Sequence, residues 1–156
     1  NATYGITETA VDAAASWSAF RAAIVRFMTA HASTGPGGVR LLMRAETWSA
    51  LDGTIFDSGS GITEWDRLVK HVPASNVAVT THALAAPSGS PLASNALLTT
   101  RAGGLDPILI GQWGGIDLIR DPYADAASGG LRLTALVTLD VTVPRAAQLE
   151  VLTGIE

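Results

Sequence analysis

The chain has 156 residues, 47% of them apolar, with 10 Lys and Arg against 14 Asp and Glu for a formal net charge of −4. That is enough apolar content for the core of one domain and too little positive charge to draw a phosphate backbone to the surface, so direct nucleic-acid binding is disfavoured. With no cysteine, disulfides, thiolate metal sites and thiol redox chemistry are excluded. No apolar run approaches the roughly 18 residues that span a bilayer, and no cationic leader precedes an apolar block, so neither a membrane span nor a signal peptide is expected. The chain opens on Asn1 rather than Met, which suggests a processed or cut chain. Charged residues make up only 15%, and 16 glycines add to a weakly charged surface of the kind that binds neighbours or aggregates.

Thr9 with Asp12 three residues on suggests a helix start, a weak capping box because the acid is Asp. Trp17, Phe20, Ile24, Phe27, Met28 and His31 then recur at three and four, one apolar stripe of a helix that ends before the run 33–38, Ser-Thr-Gly-Pro-Gly-Gly. Its five large apolar residues would contribute roughly 8–15 kcal/mol gross on burial, so the helix belongs on the core. Val39–Met43 reads as a buried, central strand, followed at once by a short helix through Trp48 and Leu51. Residues 52–61, with three glycines and no period, read as a mobile loop. Ile62, Trp65, Leu68 and Val69 resume helical spacing as far as Val72-Pro73, and Val77, Val79 and Thr81 alternate as a strand. Between Leu84 and Gly104 the only strand candidate is Ala96–Thr100.

From Pro107 to Val143 the chain reads as two extended legs folded on each other. Gly111, Gly114 and Gly115 flank Trp113 where a strand bends or lets a backbone come close. The return leg places Leu131, Leu133, Ala135, Val137 and Leu139 on one face and Arg132, Thr134, Leu136, Thr138 and Asp140 on the other. Pro122–Gly130 is a long polar tip, larger than a tight turn needs, and so a predicted contact point. Pro144-Arg145 interrupts, and Ala147, Leu149 and Val151 alternate in a last strand.

No coherent catalytic set emerges. His31, His71 and His82 stand at no metal-ligand spacing, and His31 and His71 are explained as cations at helix ends. Ser58 and Ser60 lie among glycines without the strand-to-helix context of a nucleophile elbow. Gly111, Gly114 and Gly115 form no phosphate-binding fingerprint. Asp121 and Asp125 could work as acid and base, but in a tip bounded by Pro and Gly they suit Asx-turns. Arg120, Asp121 and Arg145 could be rim charges of a contact surface, with Trp113 and Tyr123 as aromatic anchors, or both aromatics could simply pack within the sheet.

The ordered set of a core helix, a GVRLLM strand, an ETWSAL helix, VAVTTHALAA, ILIGQWGGIDLIRDPY, a glycine tip, LRLTALVTLDVTV and a closing AAQLEVLTG resembles the C-terminal part of major capsid proteins of tailed phages and prophages, the Hong Kong 97 type fold. The resemblance runs from about Trp17 to the end. It implies an α+β fold, a mixed sheet flanked by helices with a long protruding β-hairpin. The whole chain, 1–156, would be one capsid-like domain, with 16–115 and 144–156 in an axial part. Residues 116–143 would run toward a peripheral part, with Pro122–Gly130 near neighbouring capsomers and Trp113 at the root of the tip. The family's N-terminal arm, extended loop and spine helix would precede the portion present here. The only lysine, Lys70, stands in no context matching the family's crosslink.

The implied function is a non-enzymatic structural subunit of a phage head, assembled in the bacterial cytoplasm. Its partners would be other copies of itself, with no cofactor, metal, small-molecule substrate, membrane or direct nucleic-acid contact. Trp113, Arg120, Asp121, Pro122, Tyr123 and Asp125 are its candidate interface residues. Two alternatives stand beside it. One is an encapsulin-type nanocompartment subunit; the other is a hydrolase such as a phage maturation protease, pairing Ser58 or Ser60 with one of the three histidines.

Overall fold

The expected helix start at Thr9 and Asp12 is instead a strand. In the computed structural model, which describes residues 2–156 except for the side chains at 2, 102 and 126, β1 (Thr7–Ala13) lies parallel to β9 (Leu149–Ile155). Its backbone groups are satisfied by that distant strand, so tertiary pairing overrides the local capping signal. At Asp12, with φ of 45°, the register shifts and the strand bulges.

The main sheet has the order β1-β9-β6-β2-β5, with β2 at Val39–Arg44, β5 at Val77–Thr80 and β6 at Ser94–Thr100. The pairs β1/β9 and β2/β5 are parallel, while β6 runs antiparallel to both β2 and β9, which makes the sheet mixed. Register puts Val39, Leu41 and Met43 opposite Thr100, Leu98 and Ala96, and Ala96 in turn opposite Leu152. All seven are buried and share one face.

The helix α1 (Trp17–Thr29) supplies Trp17, Phe20, Ala23, Ile24 and Phe27 to the core with them. Its four large side chains contribute roughly 6–12 kcal/mol gross on burial, on the scale of a whole domain's net stability. The stripe is shorter than its spacing suggests: Met28 is exposed, and His31 lies beyond the C-cap at Ala30 with φ of 55°. Leu51 of α2 (Ala45–Gly53), Leu68 of α3 (Glu64–Val69) and Val72 complete the core.

Residues 52–61 are not simply a loop, because β3 (Ile55–Asp57) pairs with β4 (Ile62–Thr63) as a short hairpin. Asp57 accepts a hydrogen bond from the Gly59 amide, and Gly61 takes φ of 66° to close the turn. Ile62 is therefore in a strand, and α3 begins two residues later than its spacing suggests. Thr63 is the reason: its Oγ1 accepts from the Asp66 amide while the Asp66 carboxylate accepts from the Thr63 amide, a reciprocal capping box.

Two buried carboxylates tie these elements together. Glu64 accepts a hydrogen bond from the Trp17 amide at 2.7 Å and one from Arg67 at 2.9 Å, so a residue of α3 satisfies the first turn of α1. Glu150, on β9, accepts from Thr9 Oγ1 of β1 at 2.8 Å and from Arg26 Nε of α1 at 2.9 Å. Arg44 performs a similar service at the other edge. Its guanidinium donates to the carbonyls of Thr81 and Leu84, each at 2.8 Å, and to both oxygens of Glu46. That hydrogen bond holds the Glu46 carboxyl below the ordinary carboxylate range and raises Arg44 in turn.

The chain divides into two units, Asn1–Pro107 with Pro144–Glu156, and Ile108–Val143. The second is an antiparallel ribbon of β7 (Leu109–Asp121) and β8 (Arg132–Thr142). Between the pairs Trp113–Thr138 and Asp117–Leu136, three residues of β7 oppose one of β8. Gly114, at φ of 77°, opens this bulge, so the glycines beside Trp113 mark a bend in the strand as their spacing suggests.

Candidate assembly surface

Period two and the register divide the ribbon into two unlike faces. One carries Ile110, Leu118, Leu133, Ala135, Val137, Leu139 and Val141, with Arg120 and Gln112 its polar members. The other carries Asp117, Asp121, Arg132, Thr134, Thr138, Asp140 and Thr142 around Leu109, Trp113, Ile119 and Leu136. Both legs are solvent-exposed almost throughout, and within the ribbon each strand pairs only along its inner edge. Sequence alternation locates the apolar face of β8. That this face stays uncovered is visible only in the structure.

The candidate interface residues fall into three places. Asp121, Pro122, Tyr123 and Asp125 are brought together at the tip. Asp121 Oδ1 accepts from the amides of Tyr123 and Ala124 at 2.9 and 3.2 Å, the Asx-turn that its setting suggests. The Asp125 carbonyl accepts from the amides of Ser128 and Gly130, and its carboxylate lies 3.5 Å from Arg132. These bonds order the tip and leave Tyr123 85% exposed. Arg120 sits apart, on the apolar face across from Leu133. Trp113 shares the polar face with Asp121 but lies eight residues earlier, 60% exposed, with its ring folded over Gly111. A Cβ at Gly111 would stand 2.9 Å from that ring, so a larger residue there would push the exposed indole aside.

The residues considered for catalysis do not converge. Ser60 Oγ donates to the Asp57 carbonyl, and His71 stacks on Trp17 at 5.0 Å between ring centroids. Among the described residues no hydrogen bond joins a serine to a histidine, and no group of three His, Asp or Glu side chains could hold a metal ion. No described helix is long and apolar enough to cross a membrane.

No family model and no curated protein matches the sequence. Solved structures do. A virus-like particle from Pyrococcus furiosus superposes with a TM-score of 0.60 at 12% identity, over 97% of this chain and 57% of that one. The capsid of Myoviridae phage XM1 gives 0.61 at 15% identity, over 97% and 52%. The capsid of an empty GTA particle gives 0.57 at 18% identity, over 97% and 50%. The chain thus spans about half the length of each. With its α+β architecture, mixed sheet and two-stranded ribbon, this chain has the fold of phage capsid proteins.

Proposed function

We propose that the chain is a structural domain of a phage or prophage head subunit, and that it acts by self-assembly into capsomers. The observation that carries this is the ribbon. A two-stranded sheet with an uncovered apolar face is marginal in water, and its open outer edges are templates for further pairing. Such a ribbon fits a protein whose working state is an assembly, and shell-forming proteins share the fold around it. Repeated heterologous contacts that close by rotation need no catalytic group. In this reading Asn1–Pro107 with Pro144–Glu156 is the axial unit, Ile108–Val143 reaches toward the periphery, and Tyr123 and its neighbours meet other copies of the chain.

Electron microscopy of the protein expressed within its complete reading frame tests the proposal. Rings, capsomers or closed shells are expected, and monomers under every condition would overturn it. The likeness to a virus-like particle favours a second reading, a nanocompartment subunit. Cargo enzyme rather than nucleic acid inside purified shells would select it.

A further inference from the structure

Beyond its core stripe, α1 presents a second one. Arg21, Val25 and Met28 recur at four and three, and all are exposed. They form one wall of a groove of about 770 Å³ whose other side is Phe56, α3 and its C-cap residue Lys70. Arg67 lies 3.7 Å from the centre of the Phe56 ring, fixing the β3–β4 hairpin against this site. Arg67 is paired with Glu64, and Asp66 is engaged in the capping box. Arg21 and Lys70 have no ion pair among the described residues, so the groove is apolar inside and cationic at its rim.

The complementary surface is on the same unit. Along α2, Trp48 and Asp52 are exposed four residues apart, hence on one face. Asp52 stands in the last turn of α2, where a carboxylate meets the negative end of the helix dipole, and that turn contains no basic residue. It has no ion pair among the described residues. Trp48 lies edge-on to Trp65 at 6.3 Å, and helical spacing turns Trp65 about 100° from Asp66 and about 160° from Arg67, the α3 residues that line the groove. The groove and the Trp48 face therefore flank α3 on different sides.

We infer that Trp48 and Asp52 of one copy seat in the α1–α3 groove of the next, the indole on Val25 and Met28 and the carboxylate beside Lys70 or Arg21. Because the two surfaces differ, the contact is head-to-tail and repeats around a ring. A groove-to-groove contact would set cation against cation. The inference rests on the self-assembly reading and names one contact within it.

The chain has no cysteine, so introduced thiols report cleanly. Asp52→Cys and Lys70→Cys variants of the full chain, mixed under mild oxidation, should form a disulfide-linked dimer. A chain carrying both should give a ladder ending in closed rings. Ser75→Cys, on an exposed turn, serves as the control in place of Lys70→Cys. Asp52→Lys should raise the dissociation constant about tenfold, the scale of a close charge pair, and Lys70→Asp in the same chain should restore it. Cross-linking no greater than the control, with every thiol reactive toward a maleimide, would overturn this contact. Sedimentation separates the two levels. Oligomers without the cross-link refute the contact alone, whereas a wild-type chain that is monomeric at every concentration refutes the self-assembly reading as well.

Discussion

The Arg26–Glu150 pair predicts an asymmetry. The Glu150 side chain is 3% exposed, and that of Arg26 is 42% exposed. Arg26→Ala leaves a carboxylate in the core with Thr9 as its remaining described side-chain donor. Removing one partner of a fully buried pair costs 3–5 kcal/mol in general, and retention of Thr9, with water able to enter on the exposed Arg26 side, places this case at the lower end, about 3 kcal/mol. Glu150→Gln keeps the shape and an acceptor for Thr9, while the guanidinium turns to water, so its cost is about 1 kcal/mol. At about 2–4 °C per kcal/mol for a chain of this size, Arg26→Ala should lower Tm by about 6–12 °C and Glu150→Gln by about 2–4 °C. The paired change Arg26→Leu with Glu150→Leu should fall within about 1 kcal/mol of wild type, since hydrophobic replacements of buried ion pairs are often neutral. Urea unfolding followed by tryptophan fluorescence gives all three values. Equal costs for the two single variants, or a larger one for Glu150→Gln, would refute the reasoning.

Other substitutions probe other elements. A Cβ on Gly154, at φ of 70°, would stand 2.1 Å from Asp12 Oδ1 and 3.0 Å from the Asp12 amide nitrogen, so Gly154→Ala must push the Asp12 side chain aside and crowd the β1–β9 pairing. A loss of about 2–3 kcal/mol, combining left-handed strain with lost pairing, is expected by thermal unfolding, and adding Asp12→Ala should recover part of it. The Glu46 carboxyl is held below its ordinary value in the folded chain, so its contribution is complete above the unfolded value of about 4.3 and disappears as pH falls through the folded one. The stability difference between wild type and Glu46→Gln should accordingly be flat from neutral pH to about 5 and vanish in stronger acid. On the ribbon, Val137→Asp places a charge on an exposed apolar face and should leave the circular dichroism of the chain unchanged while abolishing assembly in electron micrographs.

The parts of the fold legible in sequence are those where period and burial agree. Phe20, Ile24 and Phe27 face the core as their spacing requires, and the five-residue run after Gly38 is a strand between two neighbours. Failures came where distant chain supplied the deciding bond. Nothing local shows that Thr7–Ala13 pairs with the last strand, 141 residues away at Thr9 and Glu150. Nor does it show that Glu64 completes the first turn of α1. The hairpin of residues 55–63 is masked in sequence by Gly59 and Gly61, which belong to its turn rather than to a structureless loop. At the candidate surface the Asx-turn of Asp121 followed from its neighbours. The groove is not legible because Met28 reads as part of the core stripe and Val25 stands outside it, until Phe56 and Lys70 are placed across from them.

Self-assembly is the central claim, and imaging the particles tests it most directly. Purified protein from the complete reading frame, examined by electron microscopy over a range of concentration and ionic strength, should show rings or closed shells built from repeated copies of this fold. The account predicts that Val137→Asp protein, folded and prepared in parallel, shows none. Wild-type protein that remains monomeric in every field and at every concentration would contradict it.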